Sequence, residues 1–84
     1  MSYDYEVEKV NIFTDGGQRR FLKVRDKVNG LLDFSGAFMI THSGDTWEKM
    51  SYVDRMVELN EIREITGSKV VGQHRVFVRT NKYL

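Results

Sequence analysis

Lys49, Ser51, Tyr52 and Arg55 lie within a single helical stretch of this chain, where they can project hydrogen-bond donors to one side. Lys69, Gln73, His74, Arg75 and Arg79 follow in residues 66–84, a segment with four bases and no acid. Arginine reads a guanine edge through two parallel hydrogen bonds, and a basic loop grips phosphate wherever it is positioned to do so. Both groups also have plain structural readings. The first can be a solvated helix face with charge pairs one turn apart, and the second a charged strand edge that discourages aggregation. Glu48, Asp54 and Glu58 share the helix with the first group, and free acids there would repel phosphate. Arg19, Arg20 and Lys23 open an earlier helix, where cations oppose the macrodipole. They offer a second anion contact or a solvated face.

Other constellations lead away from catalysis. His42, Ser43 and Asp45 contain the residue types of a hydrolase triad, but neighbours in one turn cannot converge as a relay requires. His42 and His74 lack metal-ligand spacing, and the chain has no cysteine, which excludes disulfides and thiolate chemistry. Asp15-Gly16-Gly17 is followed by no phosphate-loop or dinucleotide fingerprint. Trp47, one residue inside a helix start, is expected in the core. The expectation is a protein without enzymatic activity, cofactor or metal.

The elements that must position these residues can be read from periodicity and caps. Residues 3–13 read as a strand rich in Tyr, Val, Ile and Phe, with a slip in alternation near Glu8 and Lys9. Asp15 and Gln18 fit a capping box for a helix running to Phe34, with Phe21, Val24, Val28, Leu31 and Leu32 on its apolar face and Ser35-Gly36 as its stop. Residues 37–41 fit either a short helix or a short strand. Asp45 and Glu48 cap a second helix over 46–59, with Trp47, Met50, Val53, Met56 and Val57 turned inward. Asn60 is a left-handed stop. Residues 61–66 and 75–79 then make a hairpin whose loop projects into solvent.

The whole chain, residues 1–84, is the length of one domain. Hydrophobic residues make up 40%, enough for a folded core. Residues 1–15 hold four acids against one base, net −3, while residues 18–27 hold five bases against one acid, net +4. The first residues lack the pattern of a signal peptide, and no apolar run could span a bilayer. The expected setting is cytoplasmic.

The run Arg55-Met56-Val57-Glu58-Leu59-Asn60-Glu61-Ile62-Arg63-Glu64-Ile65 resembles the junction of recognition helix and wing in winged helix-turn-helix proteins. The resemblance implies a small α+β domain, winged-helix-like with an extra N-terminal strand. If residues 37–41 are a strand, the alternative is a two-layer βαβαββ domain. It further implies a DNA-binding protein, such as a small transcriptional regulator or accessory protein, in which helix 46–59 enters the major groove of double-stranded DNA and the hairpin grips the backbone, with a homodimer to double the contact. The alternative function is a protein-interaction module, such as an inhibitor from a mobile element like a phage. In that case Tyr3, Tyr5, Glu6 and Glu8 would pair with a partner's sheet edge.

Overall fold

The computed structural model describes residues 3–40, 46–65 and 75–80. They form α1 (Tyr5–Glu8), which runs into a 3-10 helix (Lys9–Phe13), then α2 (Asp15–Ser35), β1 (Phe38–Ile40), α3 (Trp47–Glu58), β2 (Ile62–Glu64) and β3 (Arg75–Arg79). The three strands make one antiparallel sheet of order β1-β3-β2. The fold is a small α+β domain.

The N-terminal segment is helical, so the extra N-terminal strand and the βαβαββ alternative are both corrected. The reason is partly local and partly the docking of Tyr3 and Tyr5 on α3. Asp4 caps α1 by accepting the Glu6 N–H at 3.0 Å. The slip in alternation was a three-residue period, which turns Ile12 inward and Val7, Val10 and Phe13 outward. Tyr3 and Tyr5 lie against α3 instead of along a sheet edge, the place the interaction reading gave them.

Threonines start the two long helices. Thr14 Oγ1 accepts the Gly17 N–H at 3.0 Å, and Thr46 Oγ1 accepts the Lys49 N–H at 3.1 Å. Asp15 is therefore the first residue of α2 and not its cap, although its charge still suits that end of the dipole. Thr46 likewise replaces Asp45, the other expected cap, as the N-cap of α3. Gly36 closes α2 with φ 78°, and its N–H donates to the Leu32 carbonyl. Asn60 sits at φ 61°, the left-handed stop expected of it.

Residues 38–40 are a strand, and their partner is β3: Phe38 faces Phe77, Met39 faces Val76 and Ile40 faces Arg75. On the other side of β3, Ile62 faces Arg79 and Glu64 faces Phe77. Phe77, fully buried, sits at the centre of the inner face. The core joins it to Ile12, Phe21, Val28, Leu32, Phe38, Ile40, Met50, Val53, Met56 and Ile62. Two residues expected inside are on the surface: Leu31, at the border of the apolar stripe of α2, and Trp47, at the open end of α3.

Candidate nucleic-acid interface

Helix α3 was expected to present Lys49, Ser51, Tyr52 and Arg55. Most of its surface is instead covered by α1, the 3-10 helix, α2 and β2. Ser51 and Tyr52 are each 2% exposed. Ser51 Oγ donates back to the Glu48 carbonyl at 2.6 Å, and Tyr52 Oη donates to Glu48 Oε1 at 2.7 Å. Arg20 reaches the same place, with Nε 2.8 Å from Glu48 Oε1 and 3.2 Å from Tyr52 Oη. Arg55 pairs with Glu58 at 2.7 Å and lies over the Phe13 ring at 5.0 Å. Lys49, half-buried, has its ammonium 5.7 Å from the centre of the Phe38 ring.

The acids of α3 are equally occupied. Tyr3 Oη donates to Asp54 Oδ2 at 2.7 Å, and Tyr5 Oη donates to Glu58 Oε1 at 2.8 Å. Burial, reinforced by these carboxylates, pushes both phenols above the ordinary tyrosine range. The hydrogen bond from Tyr5, followed by that from Arg55, holds Glu58 below the usual carboxylate range. Tyr52 and then Arg20 do the same for Glu48. Glu48, Asp54 and Glu58 thus serve as internal acceptors that clamp α1 and α2 onto α3.

The hairpin arginines also face inward. Arg75 donates to Asp54 Oδ1 at 2.7 Å and to Glu64 at 2.9 Å through both Nε and Nη2. The side chains of Arg75, Asp54 and Glu64 are only 14%, 14% and 15% exposed. Burial alone would weaken the Arg75 charge, but the bonds to Glu64 and Asp54 outweigh it and hold the guanidinium ionised above its ordinary range. Arg79 pairs with Asp33 and donates to the Asn29 carbonyl at 3.1 Å, tying β3 to the end of α2. Lys69, Gln73 and His74 lie outside the described residues.

A different surface carries cations with open surroundings. Arg19, Lys23 and Lys27 stand four residues apart on the solvent side of α2, spaced by about 6 Å along its axis. Among the described residues none of the three has an ion-pair partner. Asp26 shares the surface. Further along the same stripe come Gly30, where a Cβ would meet nothing within 4 Å, and Phe34, which is 91% exposed. Between this helix and the start of α3 runs a groove of about 370 Å³ bordered by Lys23, Val24, Thr46 and Lys49. Of the second anion contact expected at Arg19, Arg20 and Lys23, only Arg19 and Lys23 lie on this open surface, since Arg20 is held by Glu48 and Tyr52. Lys27, Gly30 and Phe34 were not expected there, because Gly30 reads as a helix interruption and Phe34 as a helix end.

Among the described residues no group of three or more His, Asp or Glu side chains could hold a metal ion, and no helix is long and apolar enough to cross a membrane. Comparison with protein-family models, with curated proteins and with solved structures returned no match.

Proposed function

We propose that this chain binds double-stranded DNA without catalysis, as a small regulator or accessory protein, and that the outer stripe of α2 is its main contact with the duplex. The observation that carries this reading is the row of Arg19, Lys23 and Lys27, three cations on a 21-residue helix with no internal partner among the described residues. A phosphate contact displaces condensed counterions, so each such cation adds affinity and salt dependence. Gly30 leaves the helix bare where a sugar-phosphate backbone would approach, and Phe34 supplies an apolar contact of the kind a thymine methyl accepts. Of the winged-helix resemblance only α3, the Asn60 turn and the paired β2 and β3 remain: among the described residues a strand and no helix lies between α2 and α3, and the face of α3 that would read DNA is covered. In this version Arg75 and Arg79 hold the hairpin in place, and any wing contact falls to Lys69, Gln73 and His74.

Fluorescence anisotropy with a labelled duplex, repeated across a salt series, tests the reading. Replacing Arg19, Lys23 and Lys27 together with Ala should flatten the slope of log affinity against log salt by about 2.7, the value for three lost phosphate contacts. Absence of binding at low salt, or an unchanged slope in the triple variant, rejects it. The second reading, a protein-interaction module, is favoured by Phe34: a phenyl ring 91% exposed at the end of a long helix is a common anchor for a protein partner.

A further inference from the structure

The N-terminal segment has two faces with different work. Its inner face holds it to the domain through Tyr3, Tyr5 and the buried Ile12. It also meets the start of α2 so closely that a Cβ on Gly17 would stand 1.9 Å from the Asn11 carbonyl oxygen. The outer face carries Val7, Val10 and Phe13, which are 60%, 62% and 55% exposed. Side chains three apart eclipse in a 3-10 helix, so Val10 and Phe13 stand in line, with Val7 one turn earlier. The segment is fixed from the inside, so the strip is a preformed apolar surface that folding does not use.

Its rim is acidic. Asp4 heads the same line, Glu6 and Glu8 flank Val7, and the first fifteen residues hold four acids against one base. Asp4 and Glu8 have no ion-pair partner among the described residues, whereas Glu6 is paired with Lys9 at 2.6 Å. Arg55, stacked over Phe13, closes the other end. This charge rejects nucleic acid and also rejects a second copy of the same strip, since two net-negative rims would meet across a two-fold axis. The complementary occupant is apolar along one side and cationic along its margins.

We infer that the line Val7–Val10–Phe13 docks a basic amphipathic helix of a partner protein, its apolar side against these three residues and its lysines or arginines over Asp4 and Glu8. This surface is separate from the stripe of α2.

The test uses the full chain, 15N-labelled, titrated with two synthetic helical peptides of one pattern, Leu/Lys and Leu/Glu. The Leu/Lys peptide should shift the amides of Val7, Val10 and Phe13, and the Leu/Glu peptide should not bind. Val7→Ser/Val10→Ser should weaken the complex at least tenfold. Asp4→Asn, which keeps a capping side chain, should reduce its salt dependence. DNA binding by the Val7→Ser/Val10→Ser variant should match that of the parent, so the two readings fail independently. Equal binding of both peptides, shifts confined to α2, or a dimer in sedimentation that Val10→Ser abolishes would each overturn the inference.

Discussion

Helix α3 and the outer stripe of α2 both carry several charges, and the structure uses them in opposite ways. On α3 each acid has a donor: Glu48 has Tyr52 and Arg20, Asp54 has Tyr3 and Arg75, and Glu58 has Tyr5 and Arg55. On α2, Arg19, Lys23 and Lys27 have no internal partner among the described residues. A charge consumed inside a fold cannot also neutralise a phosphate without losing its first partner. The difference teaches that a helix rich in Arg, Tyr and Ser is no better a candidate reader than a plainer one until the destination of each polar group is known.

The comparison is broken most forcefully at Arg75. If it is structural, Arg75→Ala leaves Asp54 and Glu64 facing each other under the sheet, and chemical denaturation should show a loss of about 3 kcal/mol. Ala at Arg19, Lys23 or Lys27 should each stay within about 0.5 kcal/mol in the same assay. Equal effects at both places would erase the distinction. Gly17→Ala comes next. Its methyl group would collide with the Asn11 carbonyl and push the N-terminal segment off α2, at a cost of about 2 kcal/mol by the same measurement.

Tyr3→Phe removes one clamp on α3 and should cost about 1.5 kcal/mol. The pH dependence follows from the directions of the shifts. The Tyr3 and Tyr5 phenols are raised from 10.0 in the fold, so their stabilisation is complete below pH 10.0 and is lost as pH rises beyond it. Glu48 and Glu58 are lowered from 4.5, so their stabilisation is present above pH 4.5 and is lost as pH falls further. Melting temperatures across pH should therefore decline at both ends, with the alkaline decline reduced in Tyr3→Phe.

The smallest effect sharpens the comparison. Gly30→Ala fills open space in a helix and should raise stability by about 1 kcal/mol. The same substitution should weaken DNA binding if a backbone passes closest at Gly30. A stabilised variant with unchanged anisotropy curves would place the contact elsewhere on α2.

Local chemistry in the sequence was enough for several elements. The apolar period gave α2 and α3, Gly36 and Asn60 ended them, and β3 followed from Arg75-Val76-Phe77-Val78-Arg79. N-caps were off by one residue in both α2 and α3, because Thr14 and Thr46 each adjoin an Asp that is also a good cap and only backbone angles separate such neighbours. Residues 3–13 were misread because Tyr, Val, Ile and Phe favour strands, while two tyrosine–carboxylate bonds more than fifty residues apart in sequence made a helical docking segment better. No local signal encodes those bonds.

The sequence by itself determined α2, α3 and their stops at Gly36 and Asn60, and that the chain is acidic at its start and basic in residues 18–27 and 66–84. Tertiary structure decided which charges are spent. Whether an arginine meets an internal carboxylate or solvent depends on which elements pack together, and burial makes pairing obligatory for Arg75 while leaving Lys23 open. That partition moved the candidate interface from α3 to α2.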